Sequence, residues 1–198
     1  MGKTTLGNIL LSNHLDLSLS VSHTTRSPRG QEVDGAHYHF VDEATFQFMA
    51  ERGDFAEHAG VFGKRYGTTH ATIEQLQSSG RHDLFDIDYQ GVEQLLETYP
   101  DAVTVLVTPP SMATLEARLR ARNTDTPEQI QTRLAKAHLE LSQYRTFRYV
   151  IVNESLDDAG AVLSAIFRAE LSKVSRNRDF LASLLGETKP GSNNPGQE

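Results

Sequence analysis

The sequence contains no cysteine. A disulfide framework, a thiolate zinc site and a cysteine nucleophile are therefore excluded, and the composition suits a reducing compartment. Long apolar runs are also lacking: none approaches the roughly 18 residues needed to span a bilayer. The first residues do not have the pattern of a signal peptide. We therefore expect a cytoplasmic protein that makes no membrane contact.

Positive charge is scarce as well. Lysine and arginine together number 19 against 26 acidic residues, which gives a formal net charge of −7. This balance argues against nucleic-acid binding, which requires a basic surface. A small phosphorylated substrate is still compatible, because the arginines are concentrated in two regions, one with Arg26 and Arg29 and the other with Arg118, Arg120, Arg122 and Arg133.

Hydrophobic periodicity predicts a single α/β domain. The predicted strands are 17–21, 37–41, 84–88, 102–107 and 149–152, with a small antiparallel patch at 55–68. The predicted helices are 2–13, 42–52, 69–79, 90–99, 111–122, 126–143 and 156–174. In the second half of the chain, strands and helices alternate, a pattern that predicts parallel strands joined by crossover helices.

The tripeptide Gly2-Lys3-Thr4 opens the first predicted helix. It matches the end of the phosphate-binding loop G-x-x-x-x-G-K-[ST]. In that loop, backbone N–H groups and a helix N-terminus face the phosphates, the lysine reaches the outer phosphates and the hydroxyl binds Mg²⁺. Alone the tripeptide is a weak signal, and its position at a helix start strengthens it. The first glycine of the motif and a strand to carry the loop are missing from the sequence.

Two further segments are more specific. The loop 22–35 reads SHTTRSPRGQEVDG, in which Arg26 and Arg29 can both bind one phosphate through paired N–H groups. The segment 86–91 reads DIDYQG, and it places Asp86 and Asp88 at the predicted carboxyl end of a strand. Being two residues apart, these carboxylates are expected to point the same way, at the edge where α/β sheets bind ligands.

Taken in order along the chain, the motifs resemble guanylate kinases of the bacterial type. The resemblance covers residues 2 to about 185 and rests on S-x-T-T-R-x-P-R-x-x-E from Ser22, E-H-A-x-V-F-G from Glu57, Y-G-T from Tyr66, D-I-D-x-Q-G from Asp86, R-x-x-x-R from Arg118, R-L at Arg133 and V-I-V-N ending at Asn153. It implies transfer of the terminal phosphoryl group of ATP to GMP or dGMP, giving ADP and GDP.

The resemblance also implies a fold, the P-loop nucleoside monophosphate kinase fold. This α/β fold has a parallel sheet with flanking helices, an inserted small GMP-binding lobe with antiparallel strands, and a helical lid. The kinase domain would span 1–185, with its core at about 1–22, 81–117 and 140–185, the GMP-binding lobe at about 23–80 and the lid at about 118–139. The residues 186–198, rich in Gly, Pro and Asn, are expected to form a disordered tail.

For the GMP site, the resemblance implies that the phosphate is held by Arg26, Arg29 and Tyr38, with Tyr66 beside them and Glu32 orienting Arg29. Glu57 and Asp88 would accept hydrogen bonds from the guanine N1–H and amino group, while Ser22 and Thr68 would donate toward O6 or N7. Asp86 is also counted among the GMP-binding residues. The chemistry is consistent, because guanine presents two donors on one edge that carboxylates match and adenine cannot supply.

For the ATP site, the implied phosphate ligands are Gly2, Lys3, Thr4 and Thr5. Mg²⁺ would be bound by Thr4 and, through water, by Asp86, while Asn153 would lie near the adenine. Lys3, Arg118, Arg122 and Arg133 would spread the charge of the transferring group, in a reaction that needs positioning more than a general base. Arg120 is expected to be a surface residue.

The sequence alone leaves two other functions as alternatives. A sugar-phosphate kinase on the same scaffold is disfavoured by Glu57, Asp88 and Ser22, because a sugar has no guanine edge. A non-catalytic phosphopeptide-binding module would agree with the incomplete phosphate loop, but it does not explain the arginines of the lid. The oligomeric state, including a homo-oligomer, is left open. The missing strand is expected to be central in the sheet, and a start codon assigned too late or a truncated gene would explain its absence.

Overall fold

A computed structural model describes residues 2–121 and 125–187. Within these residues the α-helices are α1 (Lys3–Asn13), α2 (Glu43–Glu51), α3 (His70–Ser78), α4 (Tyr89–Thr98), α5 (Met112–Ala121), α6 (Pro127–Ser142), α7 (Leu156–Leu171) and α8 (Arg178–Leu184). The strands are β1 (Leu17–Leu19), β2 (His23–Thr24), β3 (His39–Phe40), β4 (Phe55–Val61), β5 (Lys64–Thr69), β6 (His82–Leu84), β7 (Val105–Thr108) and β8 (Tyr149–Val152). No helix in the described ranges is long and apolar enough to cross a membrane.

Helix starts follow the local sequence closely. Asp42 caps α2 by accepting a hydrogen bond from the backbone N–H of Thr45 at 2.6 Å. Thr126 and Gln129 form a capping box at the start of α6, whose first residue is Pro127. These side chains satisfy backbone N–H groups that have no partner inside the helix, and proline has no N–H to satisfy. The predicted caps of α2 and α6 are confirmed.

The α/β architecture is confirmed, with parallel strands in one part and a mostly antiparallel lobe in the other. Strand β1 pairs in parallel with β6, and β7 pairs in parallel with β8. The lobe has a four-stranded sheet in the order β3-β2-β5-β4, in which β4 and β5 form an antiparallel hairpin. This hairpin is the small antiparallel patch that the sequence predicts at 55–68.

The parallel strands do not form one continuous sheet. The pairs β1–β6 and β7–β8 are separate, and β6 does not bond to β7. Next to them lies a cavity of about 890 Å³ with a largely apolar lining from α1, β6, β7 and α7, including Leu6, Leu10, Leu84, Val105, Val107 and Ile166. The two parallel pairs are thus separate, and a space with a largely apolar lining lies beside them.

One cluster of the hydrophobic core forms around α1. Leu6 is fully buried and packs with Val107, Ile151 and Ala159, which joins α1 to β7, β8 and α7. A second cluster joins α5 to α6 and consists of Leu115, Leu119, Ile130 and Ala137. The first cluster fixes the N-terminus of α1 at the carboxyl ends of the strands, where the candidate site begins.

Several predicted elements differ from the structure. Strand β2 lies within the predicted loop 22–35, and the strands predicted at 37–41 and 102–107 are β3 at His39–Phe40 and β7 at Val105–Thr108. The strand predicted at 84–88 is wrong in its range, because β6 ends at Leu84 and Asp88 serves as the N-cap of α4. The helix predicted at 156–174 ends at Leu171, and the further helix α8 was not predicted. Most of the predicted tail 186–198, from 188 onward, lies outside the described residues.

Candidate active site

The N-terminus of α1 carries the Gly-Lys-Thr motif. Gly2 is the N-cap residue with φ of +92°, in the left-handed region that glycine adopts without strain. A Cβ at this position would lie 2.5 Å from Asn153 Nδ2, so the close approach of Asn153 also requires glycine. The first N–H groups of a helix have no partner within it and attract anions. This end of α1 can therefore bind phosphate, with Asn153 beside it.

Both polar side chains of the motif contact acidic residues. The hydroxyl of Thr4 donates to Asp86 Oδ2. The ammonium group of Lys3 lies 3.5 Å from Oε1 of Glu140, a buried residue of α6. Lys3 and Thr4 are thus drawn toward different elements, and Asp86 lies beside the start of α1 although it is not on a strand.

In the lobe, Arg26 and Glu32 form a two-pronged ion pair. Nη1 and Nη2 of Arg26 each donate to one oxygen of the Glu32 carboxylate at 2.9 Å. Hydrogen bonds from the Arg26 side chain hold the pKa of Glu32 below its usual value. The same carboxylate accepts from the backbone N–H of Arg29 at 2.7 Å. Glu32 therefore orients the guanidinium of Arg26, and it contacts Arg29 only at the backbone, contrary to our expectation for the Arg29 side chain.

Two tyrosines stand beside this ion pair. The guanidinium carbon of Arg26 lies 5.2 Å from the ring centroid of Tyr38, and the rings of Tyr38 and Tyr66 meet edge to face at 5.9 Å. Burial raises the pKa of the Tyr38 hydroxyl, and the charge of Asp86 raises it further. Tyr38 therefore keeps its proton and can donate a hydrogen bond. The predicted GMP-phosphate residues are brought together here, apart from Arg29, whose side chain is exposed.

The predicted guanine residues form a buried polar group. Glu57 on β4 is only 3% exposed and Thr68 on β5 is fully buried, while the hydroxyls of Thr68 and Ser22 lie 3.1 Å apart. Burial raises the pKa of the Glu57 carboxyl to about 7; the charge of Asp88 acts in the same direction, and hydrogen bonds from Thr68 oppose it. A carboxyl group titrating near neutral pH at the base of a lobe is typical of a functional site.

Asp88 joins this group to α6. Its carboxylate caps α4 by accepting from the N–H groups of Gln90 and Gly91 at 3.1 and 3.3 Å, and it accepts from Nζ of Lys136 at 3.0 Å. Asp86 and Asp88 thus bind different partners, Thr4 and Lys136. We expected both side chains to point to one face because residues two apart on a strand do so. Residues 86–88 lie after the end of β6, so this rule does not apply to them.

The arginines of the second region are divided. The guanidinium of Arg118 donates to the backbone oxygens of Asn153 and Glu154 at 2.7 and 2.9 Å, which ties α5 to the end of β8. Arg133 on α6 pairs through Nε with Asp125 Oδ2 at 3.0 Å. Arg122 lies outside the described residues. Arg120 bonds to Glu116 on an exposed face of α5, so its expected surface role is confirmed.

One space connects the two ends of the site. The cavity beside β6 and β7 is also lined by polar residues from both regions, namely Lys3, Thr4, Ser22, Glu32, Tyr38 and Asp86. The start of α1 therefore opens on the same space as the Arg26–Glu32 pair. A molecule with a phosphate at this point could meet a second phosphorylated molecule held by α1.

Comparison with known proteins identifies the family. Residues 1–170 match the family model described as guanylate kinase. The chain belongs to the guanylate kinase family. It is 49% identical to the guanylate kinase of Sphingopyxis alaskensis over 92% of this chain and 87% of that protein, and 44% identical to that of Neisseria gonorrhoeae over 93% and 90%. A crystal structure of guanylate kinase from Anaplasma phagocytophilum matches with a TM-score of 0.75 and 33% identity over 93% of this chain and 92% of that one.

The protein is accordingly a guanylate kinase, an ATP-dependent nucleoside monophosphate kinase that transfers a phosphoryl group from ATP to GMP. Its fold is the P-loop kinase fold that the resemblance implied. These relatives do not favour the phosphopeptide-binding module or the sugar-phosphate kinase.

Sequence reasoning missed three residues of the site. Lys136 contacts Asp88, and Glu140 contacts Lys3. With Arg133, these residues are three and four positions apart on α6, a spacing that puts them on one helix face and could have indicated a shared role. Gly91 is the third residue of α4. Glycine is unfavourable inside a helix, so its presence there could have indicated that a neighbouring group packs closely against the backbone.

Proposed function

We propose that GMP binds between the lobe and α4, with its base at Glu57 and Asp88. The ionised carboxylate of Glu57 would accept from the guanine N1–H and amino group together with Asp88, and the hydroxyls of Ser22 and Thr68 would donate to the acceptor edge. The observation that carries this proposal is the burial of Glu57 beside Thr68, since a buried carboxyl group needs a matching donor to remain there in charged form. The same pocket would take dGMP.

The phosphate of GMP would be held by Arg26, Arg29, Tyr38 and Tyr66. Glu32 keeps the buried guanidinium of Arg26 in a fixed orientation, which lowers the cost of organising the site. The side chain of Arg29 is exposed to solvent, and it would turn toward the phosphate when GMP binds. We assign the phosphate of GMP, whose oxygen attacks the terminal phosphorus of ATP, to this cluster because two guanidinium groups and a tyrosine hydroxyl can donate hydrogen bonds to its other oxygens.

ATP would bind with its phosphates at the N-terminus of α1, held by the backbone of Gly2, Lys3, Thr4 and Thr5, with the adenine near Asn153. Thr4 and Asp86 supply a hydroxyl and a carboxylate, the hard oxygen donors that Mg²⁺ prefers. In the described part of the chain, no three acidic or histidine side chains converge on a metal position. The phosphates and water would therefore complete the coordination, and the metal would neutralise phosphate charge.

The transfer itself would be promoted by positive charge. Lys3 would leave Glu140 for the outer phosphates of ATP, and Arg118, Arg122 and Arg133 would stabilise the charge that develops on the transferring group. None of these residues needs to remove a proton. We also propose that the protein acts in the cytoplasm, where both of its substrates occur.

Substitution of Glu57 tests the base assignment. Glu57→Gln replaces one acceptor oxygen by an amide NH₂ group, so a donor would face a donor of guanine. This mismatch should weaken transition-state binding by about 1–3 kcal/mol. The measurement is kcat/KM for GMP and AMP in a coupled ADP-release assay, with native protein as the reference. Native protein should use GMP far better than AMP, and comparable turnover of the two would contradict the assignment.

A further inference from the structure

Phe62 occupies the turn between β4 and β5 in an unfavourable conformation. Its φ is +51°, and it is the one non-glycine residue in the described ranges with a positive φ. Gly63 follows with φ of +71°, so the turn has the φ pattern of a type I′ hairpin, which strongly prefers Asn-Gly. A bulky aromatic residue is an outlier in this region, and its side chain is 52% exposed. Neither the turn nor the core explains phenylalanine here.

The ring of Phe62 contacts α6. The guanidinium carbon of Arg133 lies 5.0 Å from the ring centroid, and Nζ of Lys136 lies 5.3 Å from it. Both distances allow attraction between a cation and the face of an aromatic ring. Arg133 and Lys136 are three residues apart and therefore lie on one face of the helix. The tip of the hairpin thus meets two cations of a single helix.

Both cations also have acidic partners on other elements. Arg133 pairs with Asp125 at 3.0 Å, and Lys136 pairs at 3.0 Å with Asp88, which also caps α4. The hairpin strand β4 that leads to Phe62 carries Glu57. The contact of Phe62 therefore joins the strand proposed to read guanine to the helix that carries Arg133.

We propose that Phe62 is a positioning residue for phosphoryl transfer. Its ring holds Arg133 and Lys136 of α6 against the GMP-binding lobe, so that the guanidinium of Arg133 reaches the transferring group when GMP occupies the lobe. The proposal rests on the proposed role of Arg133. It explains why the hairpin keeps a strained aromatic residue in a place where asparagine would fit the backbone better.

The kinetic test compares Phe62→Asn with Phe62→Tyr. Asparagine suits the turn and removes the ring, so a residue that only stabilises the hairpin would give unchanged kinetics. We expect Phe62→Asn to lower kcat about 3- to 10-fold with the GMP Michaelis constant and the melting temperature little changed, and Phe62→Tyr to restore kcat. Phe48→Ala is the matched control, because Phe48 is similarly exposed and carries Arg52 at 5.4 Å, away from the site. Native kcat in Phe62→Asn would overturn the proposal.

A double substitution tests the link to Arg133. If Phe62 acts through Arg133, Phe62→Asn should cost much less in an Arg133→Gln background than in native protein. If the loss of kcat in the double variant equalled the product of the losses in the two single variants, the two residues would act independently and the proposal would be wrong.

The contact can also be measured without turnover. The chain has no cysteine, so Lys64→Cys and Gln131→Cys introduce two unique thiols to which spin labels can be attached. Both positions are exposed, one beside the hairpin turn and one on α6. With GMP bound, we expect a narrow distance distribution in the otherwise native protein and with Phe62→Tyr, and a broader, longer one with Phe62→Asn. If Phe62→Asn gave the same distance distribution as the otherwise native protein, the proposal would be overturned. If the labelled protein with native Phe62 failed to phosphorylate GMP, the result would instead count against the proposed function.

Discussion

The carboxyl group of Glu57 lies directly against the backbone of Gly91, in the place that a Cβ at position 91 would need. A Cβ added at Gly91 would lie 2.5 Å from Oε2 of Glu57 and 3.2 Å from its Cδ. The start of α4 therefore forms one wall of the space that holds the carboxyl group. This relationship explains a glycine in a helix, where alanine would be more favourable by about 1 kcal/mol.

Gly91→Ala should separate binding from stability. The atom nearest the new methyl group is the end of the Glu57 side chain, which can turn, and the remaining close contact, Cβ of Ile87 at 3.3 Å, needs only a small shift of that residue. We expect a melting temperature close to that of native protein and GMP binding weakened by about 10-fold, since a displaced acceptor loses a hydrogen bond of about 1.5 kcal/mol. Calorimetric titration of GMP measures the effect.

Gly60→Ala provides the control for this change, because a Cβ at Gly60 has no atom within 4 Å. It should leave GMP binding unchanged. If Gly91→Ala bound GMP normally, Glu57 would not be the acceptor of guanine donors.

GMP affinity should depend on pH through Glu57. The pKa of this carboxyl is raised to about 7, mainly by burial, so below pH 7 most free protein carries the protonated form. Guanine donors require the ionised form, and binding must then release a proton. Affinity should therefore rise with pH and level off above pH 8, with binding about tenfold weaker at pH 6 than on the plateau.

The ionisation of the GMP phosphate overlaps this range, so a matched variant is required. Glu57→Gln has no proton to release, and its remaining pH dependence reports the phosphate alone. A pH profile identical in native protein and Glu57→Gln would contradict the assignment of the proton to Glu57.

The sequence predicted the elements better than the contacts between them. Helix caps such as Asp42 and Thr126 were predictable because a cap is decided by a few neighbouring residues. Asp86 and Asp88 were misplaced because the end of β6 depends on its partner strands, which local periodicity does not report. The GMP-site residues were found through ordered motifs. Lys136 and Glu140 were missed because their partners lie 48 and 137 residues away in the chain.

The two arginines of the phosphate cluster should differ in their effect on stability. Arg26 is buried and paired with Glu32, so Arg26→Ala removes the two guanidinium donors of that carboxylate, leaves it only the backbone N–H of Arg29, and should cost about 2 kcal/mol of unfolding free energy. Arg29 is exposed, and Arg29→Ala should leave stability nearly unchanged. Both should raise the Michaelis constant for GMP, because they bind its phosphate in the ground state as well as in the transition state. Chemical denaturation and steady-state kinetics measure the two effects.

Glu32→Gln checks the cause of the stability loss. Combined with Arg26→Ala, it removes the unpaired charge and should recover part of the stability. No recovery would show that the packing of Arg26 on Tyr38 dominates.

Substitution of Arg122 should have the opposite kinetic signature. If its charge acts on the transferring group, Arg122→Ala lowers kcat with little change in GMP affinity, because the charge it would neutralise develops only in the transition state. Single-turnover measurements at saturating nucleotide isolate this step. A change confined to GMP affinity would contradict the proposed role.

The last prediction concerns the cavity between the two parallel strand pairs. Strands β6 and β7 do not pair with each other, and the apolar side chains beside them, among them Leu84 and Val107, line a space of about 890 Å³. A parallel strand placed there could bond to both neighbours, and each apolar side chain that it buried would add about 1.5–3 kcal/mol of stability. A strand leading into Gly2 would also hold the phosphate loop.

We therefore expect that a strand added in this space will stabilise the protein and support the phosphate site at the start of α1. Adding an apolar strand and the first half of the G-x-x-x-x-G-K-[ST] loop before Gly2 should raise the melting temperature, ATP affinity and turnover together. The control carries the same loop after a strand with two prolines, which cannot bond to both neighbours. Calorimetric titration of each nucleotide, with a coupled ADP-release assay, compares the three proteins. Equal ATP affinity and turnover in all three would show that the N-terminus of α1 suffices for the phosphates, and the prediction would be wrong.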